Sequence, residues 1–143
     1  MKKLKMRVRF DYVGKGNKGR IFGGKDPEYW AEEIRQHKVS LIRNVPIQGV
    51  HIEDVDMSQE IYMVQDDITG RKLAYAPVSI TFYADSMEDA VKFTMTEEFR
   101  TVEVLEPDEI NLSKFEVERL LLKITEELIE YKILMERKLD NWR

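Results

Sequence analysis

The order of alternating and helical segments in this chain predicts an α+β fold of the split β-α-β, ferredoxin-like kind: an antiparallel sheet with an inserted hairpin and a long C-terminal helix. Three observations carry that prediction. The stretch "LKMRVRFDYV", residues 4–13, alternates apolar and polar side chains with period two. Capped helical stripes begin at Asp26 and Ser86, with strand patterns between and after them. From Ser113 to Arg143 the chain contains neither Gly nor Pro. The succession strand, helix, strands, helix, strand is what the split β-α-β arrangement requires.

In the first strand Leu4, Met6, Val8, Phe10 and Tyr12 share one face, and Lys5, Arg7, Arg9 and Asp11 share the other, which gives a half-exposed strand with a basic outer side. A Gly- and Lys-rich loop follows. Asp26 then supplies a helix cap and Pro27 suits a first turn. "EYWAEEIRQHK" reads as a short helix with Trp30, Ile34 and His37 on one side. It is expected to end near Lys38, where a charge on His37 suits the helix dipole.

"VSLIRNV" and "IQGVHIEDVDM", divided by Pro46 and Gly49, read as one bent strand or two short ones. "EIYMVQ", the turn "DDITG" with Gly70 free to take positive φ, and "RKLAYAPVSITFYAD" read as a hairpin whose second strand is interrupted at Pro77. Val78, Ile80 and Phe82 face one way, Ser79, Thr81 and Tyr83 the other, as in a sheet covered on one side. Ser86 and Asp89 resemble a capping box, and Met87, Ala90, Val91, Thr94 and Met95 form a helical stripe ending near Phe99. "RTVEVLEP" is a last strand stopped by Pro107.

Ser113 and Glu116 form a second capping-box match, and the helix beginning there is expected to run to Arg143. Some thirty residues reach about 45 Å, longer than a small domain is wide. Val117, Leu121, Ile124, Leu128, Tyr131, Met135 and Trp142 follow steps of four and three, missing only at Lys138. A second stripe of Leu122, Ile129 and Ile133 widens the apolar surface. One face can cover its own sheet while the other meets a partner. Leu121, Ile124, Leu128, Tyr131, Met135 and Trp142 are the candidate oligomer contact.

A length of 143 residues is that of one domain, with the stretch 113–143 as its long terminal helix. Charged residues make up 35% of the chain against 43% hydrophobic, so disorder is not the expected state. Cysteine is absent, which removes disulfides, thiolate metal sites and a cysteine nucleophile. The N-terminal apolar residues alternate with Lys and Arg instead of forming an export signal, and nothing approaches the run of about 18 apolar residues a membrane span needs. A cytoplasmic location is expected.

Net charge is −4, but residues 1–25 carry nine Lys or Arg against the single Asp11, a local +8 that leaves −12 on the remainder. Such a split marks a surface for an anion or a self-complementary contact between two halves. The loop holds Gly14, Gly16 and Gly19 at the spacing G-x-G-x-x-G. A dinucleotide fingerprint needs those glycines at the joint of strand and helix, and here Arg20 to Lys25 intervene. The Walker pattern fails as well, with Arg20 where Lys is needed and Ile21 where a magnesium-binding hydroxyl belongs. What survives is a basic set, Lys15, Lys18, Arg20 and Lys25 with Arg7 and Arg9, able to contact phosphates.

"HIEDVD", residues 51–56, is the most metal-like cluster, but strand alternation sends His51 and Glu53 one way and Asp54 and Asp56 the other unless a bulge intervenes. Asp66 and Asp67 read as turn residues. No Ser or Thr sits in a nucleophile elbow, and the Glu97/Glu98 and Glu126/Glu127 pairs diverge around their helices. No catalytic residue, cofactor site or metal site is assigned.

The leading expectation is a non-enzymatic, self-associating module, a homo-oligomer and most simply a dimer, with a scaffolding or regulatory role and ligand sensing at a subunit junction. The alternative is binding of nucleic acid or a phosphorylated ligand through Lys2 to Lys25. An enzyme is the third reading.

Overall fold

The computed structural model describes residues 4–15 and 26–141. Its elements are β1 (Leu4–Lys15), α1 (Pro27–Asn44), β2 (Val50–Asp56), β3 (Tyr62–Gln65), β4 (Lys72–Ala84), α2 (Met87–Thr94), β5 (Phe99–Glu106) and α3 (Lys114–Asn141). The five strands form one antiparallel sheet in the order β2-β4-β1-β5, with β3 paired to β4. This is a mixed α+β architecture of five strands and three helices among the described residues.

The period-two patterns of β1 and β4 settle which face is buried. Leu4, Met6, Val8, Phe10 and Tyr12 stand opposite Ala84, Phe82, Ile80, Val78 and Ala76, and all ten are at most 5% exposed. Phe93 joins them with edge contacts to Phe10 and Phe82, and Ile34, Ile42, Ile47 and Ile110 close the margins. Burying each large side chain of this layer contributes about 1.5–3 kcal/mol.

Helix α1 lies on β1 and β4 along a lane of small residues, Ala31, Ala74 and Ala76. Gly14 belongs to this lane. A Cβ built there would overlap the backbone of Ala31 and the carbonyl of Pro27, so the first glycine of the G-x-G-x-x-G stretch is a strand residue that lets a helix approach.

Three sequence expectations are corrected. Helix α1 starts at Pro27 after Asp26, as expected, but runs on to Asn44 and absorbs "VSLIRN", read above as strand. Ala31, Ile34, Arg35, Val39 and Ile42 continue one helical stripe, and its burial overrides the β-branched composition. His37 is therefore an exposed mid-helix residue, and Arg43 occupies the last turn. Helix α2 ends at Thr94 instead of near Phe99; Met95 is its C-cap and Phe99 opens β5.

Thirdly, β4 is not interrupted at Pro77. It runs unbroken through 13 residues, and the break lies in the neighbouring edge. Strand β2 pairs with Ser79–Ala84 and β3 with Lys72–Tyr75, so neither meets Pro77. The missing proline donor faces a gap where no acceptor waits. Arg35 fills that gap from α1: its Nη1 donates to the Pro77 carbonyl at 3.2 Å and to the Gln59 carbonyl at 3.0 Å.

The hairpin turn is as expected. Gly70 has φ +70°, and the Asp66 carboxylate accepts from Ile68 N at 2.9 Å and from the Thr69 hydroxyl at 2.9 Å, which holds its pKa below the ordinary value. The Ser113 box forms in full, with Ser113 and Glu116 exchanging backbone-to-side-chain bonds reciprocally. At Ser86 the N-cap bond forms, with Ser86 Oγ accepting from Asp89 N, while the Asp89 carboxylate accepts from the Ser86 hydroxyl.

Candidate functional site

Three surfaces carry side chains of possible functional weight. The first is α3. It packs along α2, with Arg119 Nε 3.6 Å from Glu88, and reaches the α2–β5 connection, with Lys138 Nζ 3.7 Å from Glu97, yet none of its residues is buried. Of the sequence-predicted contact residues, Leu121 and Leu128 are each 59% exposed and Tyr131 45%, while Ile124 and Met135 are half-buried. Trp142 lies outside the described residues. Leu122, Ile129 and Leu139, each more than half exposed, broaden the apolar face.

The second is the open face of the sheet, opposite the helices. Here Lys5 Nζ meets Glu53 at 3.2 Å, which raises the lysine's pKa, and Arg7 Nη1 meets Glu103 at 3.7 Å. Arg9 holds Asp11 with two bonds of 2.8 and 3.1 Å. Asp11 is only 2% exposed and also accepts from the Tyr62 hydroxyl at 2.5 Å, with Arg100 Nε at 3.6 Å. Burial, followed by that bond to Asp11, pushes the Tyr62 phenol up. Tyr62 stacks on Tyr75, and Arg100 covers the Tyr75 ring. Of the predicted anion-binding set, Arg7 and Arg9 thus stand on this face. Lys15 ends β1 with its side chain outside the description, and Lys18, Arg20 and Lys25 lie outside the described residues.

The "HIEDVD" stretch departs from simple alternation. A bulge between Ile52 and Asp54 makes Glu53 an extra residue, so His51, Asp54 and Asp56 stand opposite Tyr83, Thr81 and Ser79 on one face. They do not converge: His51 meets Asp85 at 3.0 Å, and Asp56 accepts from Ser58 N. Among the described residues no three His, Asp or Glu side chains are placed to share a metal.

The third surface is a cleft of about 690 Å³ on the helix side, between α1 and α2. Phe10, Tyr12 and Phe93 line it together with Leu41, Ile42 and Ile47, and Lys38, Lys92 and Lys123 reach it from the three helices. Burial, and to a lesser extent the Glu98 carboxylate, push the Tyr12 phenol well above the ordinary tyrosine value, so it stays protonated through the neutral range. Sequence reading missed this cleft, because its lining comes from five separate segments. The one local trace was a pair of core-face aromatics, Phe10 and Tyr12, at the end of β1 that the small-residue lane does not cover.

No helix among the described residues is long and apolar enough to cross a membrane. Comparison with protein-family models, curated proteins and solved structures finds no match.

Proposed function

We propose that this chain is a self-associating α+β module, a homodimer in the simplest case, joined through α3 and serving a scaffolding or regulatory role. The observation that carries the reading is the exposure of α3. Ten large apolar side chains between Phe115 and Leu139 are each 40% exposed or more on a helix without a buried residue. Their combined surface is of the order of the ~800 Å² per partner that a standard interface covers. Exposed apolar surface of that extent on one helix supports a role in interaction.

The reading includes a ferredoxin-like assignment. With the β3 hairpin set aside, the strand order β2-β4-β1-β5 and the connections through α1 and α2 match the split β-α-β pattern. In that arrangement α3 is an addition outside the sheet and its two covering helices, free to serve assembly.

The test is solution mass by light scattering on the parent and on Leu121→Lys with Leu128→Lys. These side chains make few contacts within the protomer, so the variant keeps its circular dichroism. The parent is expected at twice the chain mass and the variant at one. A parent that is monomeric at micromolar concentration ends the proposal.

A further inference from the structure

We propose that the cleft between α1 and α2 binds a small amphipathic anion, its apolar body against Phe10, Tyr12 and Phe93 and its anionic group between Lys38 and Lys92. The inference does not rest on self-association and goes beyond it.

The cleft is preformed. Phe93 is fixed at its floor by edge contacts to Phe10 at 5.8 Å and Phe82 at 4.8 Å. One wall, α1, is seated on the small-residue lane, and the other, α2, is tied at its start by the Ser86–Asp89 bonds. A volume of about 690 Å³ falls within the range of small-molecule pockets, about 300–1,000 Å³.

The charges select the ligand. Six charged side chains line the cleft. Glu88 is engaged by Arg119, Asp89 accepts from the Ser86 hydroxyl at 2.8 Å, and Lys123 is held by Glu126 and Glu127. Asp89, though without an ion pair, is committed to the Ser86 hydroxyl in the first turn of α2, where the helix dipole favours its charge. Among the described residues that leaves Lys38, Lys92 and Glu98 with neither an ion pair nor a side-chain hydrogen bond, two lysines against one carboxylate. Lys38 comes from the α1 wall and Lys92 from the α2 wall, so an anionic group held between them bridges the two helices. The Tyr12 hydroxyl makes no hydrogen bond among the described residues and lines the same space, offering a donor beside the apolar floor. An apolar floor with few polar groups converging on it is the usual composition of such sites.

The probe is decanoate, a ten-carbon chain with one carboxylate, with decanol and decyltrimethylammonium as neutral and cationic counterparts. Binding is followed by titration calorimetry and by amide NMR shifts. Decanoate is expected to bind with shifts centred on Ile42, Tyr12 and Phe93. Lys38→Glu with Lys92→Glu, both surface changes, is expected to weaken it by about tenfold or more while the fold is retained. Leu41→Trp, at the half-exposed rim, is expected to block it by occupying the space. Absence of binding, equal binding of decanol, indifference to the charge reversals, or shifts centred on Leu121 and Leu128 of α3 would each overturn the proposal. Because α3 variants leave the cleft residues in place, Leu121→Lys with Leu128→Lys is expected to bind decanoate like the parent, whichever way the mass measurement falls.

Discussion

Arg35 is the side chain on which the sheet's discontinuous edge depends, and Arg35→Met tests that dependence. The guanidinium is 7% exposed, and its Nη1 is shared between the carbonyls of Pro77 and Gln59. Methionine keeps the unbranched apolar stem and its packing, so the loss falls on those two acceptors and, to a smaller extent, on the exposed ion pair with Glu32. A buried acceptor left without a partner costs about 1–3 kcal/mol. The Pro77 carbonyl is fully enclosed and takes the upper part of that range, whereas the Gln59 bond is partly open to water and takes the lower. The expected total is about 3–4 kcal/mol, a large share of the 5–15 kcal/mol that holds an ordinary domain together.

Urea unfolding followed by circular dichroism reads the loss directly. With an m-value of about 2 kcal/mol/M for a chain of this size, the midpoint should fall by roughly 1.5–2 M. Glu32→Gln is the control. Glu32 is bonded to the Arg35 Nε at 2.6 Å, but its carboxylate is 41% exposed, so the change should cost under about 1 kcal/mol. An Arg35→Met midpoint within experimental error of the parent would refute the gap-filling argument. So would a Glu32→Gln loss as large as that of Arg35→Met, since the arginine would then serve its glutamate and not the carbonyls.

Gly14→Ala places a methyl against the backbone of Ala31 and Pro27, which cannot rotate aside, so a loss of about 3 kcal/mol and roughly 10 °C in thermal midpoint is expected, and an unchanged midpoint would contradict the close approach of α1 to β1. The raised pKa of Tyr12 sets an alkaline limit. Above the ordinary value of 10.0 the unfolded chain releases the Tyr12 proton and the folded chain keeps it, so stability falls as pH rises past 10. Phenolate absorbance of the parent compared with Tyr12→Phe should show the Tyr12 phenol ionising above 10.0; a Tyr12 contribution at or below that value in the folded protein would remove the burial argument. The lowered pKa of Asp66 acts at the other end. Its support of the β3–β4 turn is present above 3.8 and is lost as pH falls below it, which amide exchange at Ile68 and Gly70 should report as earlier opening of that turn.

What could be read from the sequence was what each residue decides with its immediate neighbours. Alternation in Leu4–Tyr12 and Val78–Tyr83 named the buried face correctly, since a one-residue slip would expose the whole apolar set. The boxes at Ser86 and Ser113 named two helix starts, because those bonds close within one turn. The failures share a cause: in each, the deciding partner is remote in sequence. Val39 and Ile42 look like strand residues until β1 and β4 are present beneath them. The rule that proline ends a strand assumes continuous neighbours, and here β2 and β3 part opposite Pro77. The signal that sequence reading passed over was Arg35, a charge four residues from Ala31 and four from Val39 in an apolar stripe. A charge at such a position needs buried acceptors, and it points to the gap.

The charge asymmetry of the sequence can be traced, over the described residues, to strand placement. β1 is a central strand, so its basic row of Lys5, Arg7 and Arg9 is within reach of strands on both sides. Glu53 arrives on β2 at the far side of β4, its position set by the bulge at Ile52–Asp54, and Glu103 arrives on β5 directly opposite Arg7. Asp11 is supplied by β1 itself and is enclosed by Arg9, Tyr62 and Arg100. A register shift of β5 would carry Glu103 away from Arg7, and one of β2 would carry Glu53 away from Lys5, so these pairs favour the observed alignment. The exposed pairs add little to affinity or stability, whereas the buried Asp11 carboxylate ties β1, β3 and β5 together at one point. That separates the two roles of charge in the molecule: on the open sheet face it fixes strand register, and in the cleft on the other face Lys38 and Lys92 have no ion-pair partner among the described residues.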